Sequence, residues 1–178
     1  MQILRIDAGE TAGLLPDLVA ILRDSVAGGA SVGFLPPLSV AEAESCWREV
    51  ADALRGPDRI LLIARDDAGV AGTVQLVLAD RPNGRHRAEV IRLMVHSTKR
   101  RRGVGLALMR AVEPEALRAG RTTLVLNTRE GDPSERLYEK LGYVVAGRIP
   151  RYARSADGTL HTTLILYKLL DPSTVPAR

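Results

Sequence analysis

Cysteine is nearly missing from this chain. Cys46 is the one thiol among 178 residues, so no internal disulfide can form. It falls in Glu44-Ser45-Cys46-Trp47, inside a predicted helix, where a buried, inert thiol and a core tryptophan are expected. Aromatic residues make up only 3% of the sequence, and no base-stacking platform is visible. The formal charge is +4, and the run Lys99 to Arg102 accounts for it, so local phosphate binding is expected rather than a nucleic-acid partner. His86, His96 and His161 are scattered, without Cys/His clustering, which argues against a metal site. No apolar stretch approaches the roughly 18–20 residues of a membrane span. The opening Met1-Gln2-Ile3-Leu4-Arg5-Ile6 has no signal-peptide pattern and reads as a strand. A cytoplasmic protein with no membrane partner is the expectation.

The chain does have enough apolar residues for a core: 46% are hydrophobic. One domain over residues 1–170 and a loose tail over 171–178 are expected. A strand over Gln2 to Asp7 leads to a helix over Leu14 to Val26 and a glycine-rich loop, Gly28 to Pro37. Ser39 and Glu42 form a capping box for a helix reaching Leu54. Arg59 to Asp66 and Val70 to Asp80 read as a hairpin about Asp67-Ala68-Gly69. After a turn at Arg81 to Gly84 comes a strand over Ala88 to Val95. A helix from Val104 places Val104, Ala107, Leu108, Ala111 and Val112 on one face, and Pro114 predicts a kink or a stop near Glu113. Thr122 to Asn127 is a β-branched strand. Asp132 as N-cap and Pro133 at the first helical position predict a short helix to Leu141, stopped by Gly142. Strands over Tyr143 to Ile149 and Leu160 to Leu169 complete the order β-α-α-β-β-β-α-β-α-β-β, a mixed α/β domain.

Arg100-Arg101-Arg102-Gly103-Val104-Gly105 joins a strand to a helix. Free amides at a helix start attract phosphate, and glycines let an anion approach the backbone. Together with Leu137-Tyr138-Glu139-Lys140-Leu141-Gly142-Tyr143, this Arg-x-x-Gly-x-Gly loop and the element order resemble the GNAT superfamily of acetyl-CoA-dependent N-acetyltransferases. Further segments, Gly28 to Phe34, His86 to Val90, Gly147 to Pro150 and Asp157 to His161, look like the tabtoxin-resistance acetyltransferase group, which acetylates a small amine-bearing β-lactam. The resemblance implies a mostly antiparallel sheet of about seven strands with about four helices, splayed where acetyl-CoA lies.

On that resemblance, pyrophosphate sits on the backbone of Arg101, Arg102, Gly103, Val104, Gly105, Leu106 and Ala107, with Arg100 supporting the loop. Pantetheine pairs with the backbone around Leu93, Met94 and Val95 like an added strand. Glu89 is the expected general base for a primary amine, whose ammonium form has a pKa near ~10. The plain alternative is a strand-start glutamate paired with Arg87 or Arg92. Tyr138 is the expected general acid. Asn127, where relatives often carry aspartate, is expected to position cofactor or water, and Ser134 contacts pantetheine or merely caps its helix. Phe34, Arg151 and Tyr152, with Arg154, are the expected acceptor contacts; His86 and His96 are alternative bases or, as expected here, surface residues. The acceptor is expected to be a small amine, with protein acetylation or acyl-CoA sensing as the alternatives. The molecule is a monomer or homodimer.

Overall fold

Apolar residues at both parities of a strand demand cover on both faces, and Ile60-Leu61-Leu62-Ile63-Ala64 is such a run. In the structure, a computed structural model that describes residues 1–174, this run lies in β2 (Arg59–Asp66). It is flanked by β1 (Gln2–Ile6) and β3 (Gly69–Leu78). Four more strands, β4 (Arg87–Val95), β5 (Thr123–Arg129), β6 (Val144–Arg154) and β7 (Leu160–Leu169), complete a sheet of order β1-β2-β3-β4-β5-β7-β6. Every pairing is antiparallel except β4 with β5. The element order and fold class agree with those read from the sequence.

One face packs Ile60, Leu62, Val90, Leu124 and Leu126 against α3 (Val104–Arg118) and α4 (Ser134–Lys140). The other packs Leu61, Ile63 and Met94 against α1 (Thr11–Ala27) and α2 (Val40–Ala53). The capping box at α2 forms in full: Ser39 Oγ accepts from the Glu42 amide while the Glu42 carboxylate accepts from the Ser39 amide at 3.0 Å. Trp47 and Cys46 are buried beneath this helix. Gly142 follows α4 at φ +81°, a conformation that costs glycine little. No helix among the described residues is long and apolar enough to cross a membrane.

Three local expectations are corrected. Helix α3 does not stop at Glu113 but runs through Pro114 to Arg118. The proline forfeits one backbone bond, yet Ala116 beyond it is fully buried in the core, so tertiary packing prevails over propensity. The buried stripe is Val104, Leu108, Met109, Val112 and Ala116, with Ala107 and Ala111 only half-buried. Asp132 does not cap α4, because Arg129 donates to its Oδ1 from Nε at 3.0 Å and Nη2 at 2.8 Å. A charge-assisted fork of this kind outcompetes a backbone amide; Pro133 is the cap residue and the helix starts at Ser134. Strand β6 continues past Ile149 to Arg154; it lies at the sheet edge, where Pro150 removes no ladder bond on the open side. Of the expected tail, residues 172–174 form a 3-10 turn, and 175–178 lie outside the described residues.

Gly72 lets α3 sit close to the sheet. A Cβ there would stand 2.8 Å from the Met94 carbonyl oxygen and 3.0 Å from Val104 Cγ1. Gly72→Ala is expected to lower unfolding free energy by about 1–3 kcal/mol through overpacking. Urea unfolding measures it; an unchanged midpoint would contradict this packing.

Candidate active site

Strands β4 and β5 are hydrogen-bonded for only three pairs, Arg87 with Thr123, Ala88 with Leu124 and Glu89 with Val125. Beyond Glu89, β4 pairs with β3 alone and β5 with β7 alone. Between them is a fork whose two inner edges carry unpaired backbone groups. An extended ligand can complete such an edge as a strand would. Leu93, Met94 and Val95 lie on the β4 side and Asn127 on the β5 side.

A bulge helps set the fork. Gln75 pairs with Ile91 but Thr73 pairs with Met94, so β4 carries an extra residue there. Arg92 adopts φ +50° in this stretch, a region that side-chain-bearing residues seldom occupy. The bulge reverses which way later side chains point: Ala88 and Val90 join the α3 core, whereas Met94 joins the α1/α2 core.

At the mouth of the fork stands the basic loop. Gly103 caps α3 at φ +81° with no side-chain hydrogen bond, and the first intrahelical bond runs from the Ala107 amide to the Gly103 carbonyl at 2.9 Å. The amides of Val104, Gly105 and Leu106 thus lack intrahelical acceptors. The positive end of the helix dipole adds to their pull on anions. Arg101 and Arg102 are exposed. Arg100 is exposed too but is tied down: its Nε donates to the Val95 carbonyl at 3.1 Å and its guanidinium lies 3.8 Å from Asp24. Gly105 has a packing reason of its own, since a Cβ would meet Leu137 Cδ2 at 3.4 Å and Val95 Cγ2 at 3.8 Å.

Glu89 is exposed and is the last β4 residue paired to β5. It lies opposite Val77, which lies opposite Arg59, so all three share the α1/α2 face. No ion pair joins it to Arg87 or Arg92 among the described residues; its charge acts on Arg59. Asn127 is exposed and alternates with buried Leu126 and Thr128, which places it on the face of Glu89. Tyr138 approaches from the opposite face, in the α3/α4 core. Burial, aided by the charge of Asp132, pushes its phenol up to about 12, so it is protonated at neutral pH. Its ring tilts against Tyr143 at 5.8 Å between centroids. Ser134 Oγ is 2.8 Å from Thr128 Oγ1, which ties α4 to β5.

A cavity of about 590 Å³ opens between the loop after α1 and the β6–β7 turn. Phe34 and Arg154 line it, joined by Arg129, Asp157 and His161. Arg151 and Tyr152 are outside this lining: Arg151 sits at φ +55° in the irregular part of β6, and Tyr152 is 54% exposed. His86 is exposed, and His96 Nδ1 lies 3.0 Å from Thr98 Oγ1. Among the described residues no three His, Cys, Asp or Glu side chains gather as a metal site would need.

Sequence reasoning missed Asp24, which nothing in its helix marks. Its carboxylate accepts from the Ser97 amide at 2.8 Å and the Ser97 hydroxyl at 2.6 Å, linking α1 to the turn before the basic loop. Arg129 was also missed, while Asp132 was read only as a helix cap and Arg92 only as a partner for Glu89.

A forked sheet with a bare helix start at its mouth can be compared with known proteins. A model of the acetyltransferase (GNAT) family matches residues 23–143. The chain belongs to the GNAT acetyltransferase family. This acetyltransferase is 36% identical over 128 residues to an uncharacterized N-acetyltransferase of the hisH-hisA intergenic region of Azospirillum brasilense, covering 71% of this chain and 74% of the relative. Its fold is similar to that of the ribosomal-protein-alanine N-acetyltransferase of Brucella melitensis, with TM-score 0.78 and 22% identity over 96% of this chain and 100% of that one. A similar likeness holds for yncA of Salmonella typhimurium, solved with its cofactor acetyl-CoA: TM-score 0.77 and 19% identity over 99% and 98% of the two chains.

Asp24 also gives the GNAT domain a pH signature. Burial alone would raise its carboxyl, but the two Ser97 bonds, with the charges of His96 and Arg100, outweigh burial and hold it below the ordinary 3.8. A lowered folded value stabilises the protein above the unfolded value, and the gain drains away as pH falls through the folded one. Urea midpoints between pH 7 and pH 3 are expected to fall less steeply for Asp24→Asn than for the parent. Parallel curves would refute the contact.

Proposed function

We propose that this GNAT acetyltransferase moves an acetyl group from acetyl-CoA to the primary amine of a small molecule by direct transfer. Residues 1–170 would act as one catalytic domain in the cytoplasm. The observation that carries the reading is the fork: β4 and β5 part immediately after Glu89, beside a helix start with free amides. The residues fit the donor. The inner edge at Leu93 to Val95 suits the amides of pantetheine, and the amides from Arg101 to Leu106 suit pyrophosphate, that of Ala107 being taken by the Gly103 carbonyl; Arg100 ties that loop to the Val95 carbonyl.

Acetyl-CoA supplies an activated acyl group and a sulfur leaving group. Glu89 takes a proton from the ammonium so that the nitrogen lone pair is free to form the new N–C bond. Tyr138, kept neutral by burial, gives its proton or a hydrogen bond to the sulfur as the C–S bond breaks. The two groups come from opposite faces of the sheet. Acceptor and departing thiol therefore need not cross paths, as direct transfer requires. Asn127, beside the fork on the Glu89 face, positions water or cofactor, and Ser134 is held by Thr128 near the same gap.

A small acceptor is favoured over a protein because the cavity of about 590 Å³ lies within the usual 300–1,000 Å³ of small-molecule sites. Phe34 and Arg154 face it; Arg151 and Tyr152 border the same strand and would meet a larger acceptor. The likeness to tabtoxin-resistance enzymes supports an amine of antibiotic or toxin type.

Acetyl-CoA is expected to raise the melting temperature, and an amine panel to release free CoA thiol. Glu89→Gln should lower kcat/KM about 100-fold. Tyr138→Phe should lower kcat about tenfold or more, with the acetyl-CoA-induced melting shift retained. Full turnover in both variants would remove these roles, and no melting shift in the parent would remove the cofactor reading.

A further inference from the structure

Arg59 and Arg92 are both half-buried, yet neither lies within 4.0 Å of a carboxylate among the described residues. Arg129, buried to a similar degree, holds Asp132 at 2.8 Å. The two unpaired guanidiniums share one patch. Arg59 begins β2 in the row that crosses Val77 to Glu89, and Arg92 stands in the β4 bulge on the same side. Arg59 feels its neighbour: burial first, and the Arg92 charge next, lower its pKa, while Glu89 opposes this from beyond ion-pair range. Glu49 of α2 is the other carboxylate whose charge reaches the patch, at Cys46.

A third donor is left over. Gln75 is fully buried; its Oε1 accepts from Arg59 Nη1 at 2.9 Å, but its Nε2 has no acceptor. Buried donors without partners are rare in folded proteins. Arg92 also stacks on Phe34, with 5.9 Å between guanidinium carbon and ring centroid, and Phe34 lines the acceptor cavity. Stacking uses the face of a guanidinium and not its N–H edge; one Arg92 N–H bonds the buried Cys46 thiol, and a thiol is a far weaker acceptor than the carboxylate of a planar anion.

We propose that Arg92, with Arg59 beside it, holds a carboxylate of the acceptor, so that the substrate is an amine with a carboxylate a few bonds from the nitrogen presented to Glu89. The inference rests on the acceptor reading above and narrows it to amino acids and similar compounds. Arg59 carries the anion's second charge contact and is itself oriented by Gln75. Arg92 would supply the specificity.

The test uses pairs of amines that differ only in carboxylate versus carboxamide, with acetyl-CoA as donor and CoA release as readout. The parent enzyme is expected to prefer the carboxylate member at least tenfold in kcat/KM, mainly through KM. Arg92→Asn, chosen because asparagine tolerates the positive φ, should collapse that ratio about tenfold. Arg59→Gln should reduce it less and serves as the second variant if Arg92→Asn does not fold. Equal use of both members by the parent, or an unchanged ratio in both variants, overturns the inference while leaving the acetyltransferase reading intact. An acetyl-CoA melting shift without turnover of any amine overturns the acceptor reading and this inference with it.

Discussion

The parting of β4 from β5 governs this molecule. A sheet normally satisfies each inner strand on both sides, and an unpaired inner edge is costly unless something fills it. Here the parallel ladder ends after Glu89, and two features keep it from closing. The bulge at Arg92 bends β4 toward β3. Helix α3 sits closely on Gly72 of β3, where an added Cβ would meet both Val104 Cγ1 and the Met94 carbonyl of β4. Glu89 marks the last paired rung before that opening, and the basic loop follows the β4 strand that leaves it.

The fork also divides the chemistry by face. On the α1/α2 side are Glu89, Asn127, Arg59 and Arg92, groups that are charged or polar and at least partly reached by water. On the α3/α4 side Tyr138 lies in apolar surroundings that keep its proton on. A base wants contact with solvent to shed its proton, and an acid wants a neutral form at working pH. Strand alternation puts Glu89 and Asn127 on one face, and α4, packed on the other, carries Tyr138.

Most of the element order was legible because the periodicities are clean: β-branched runs, a full capping box at Ser39 and Glu42, and a glycine stop at Gly142. Legibility failed where a tertiary contact overruled a local one. Pro114 signals a stop, but burial of Ala116 carries α3 past it. Asp132 signals a cap, but Arg129 takes its carboxylate. The loop around Gly103 was readable as an anion cradle because helix starts have free amides whatever their neighbours. Arg59, Gln75 and Arg92 were not, since three residues on three strands meet only through the register of the sheet. Asp24 was invisible for the same reason: its partner Ser97 is 73 positions away.

That last contact makes one jaw of two loops. Asp24 sits a turn before the end of α1, from which the glycine-rich loop departs at Gly28, and it grips the turn that leads into the basic loop. The stems of both loops are thus clamped to the same point, and the segment from Gly29 to Pro36 lies outside that clamp. The grip of one carboxylate on one serine, 73 positions apart in the chain, thus fixes where two loops begin.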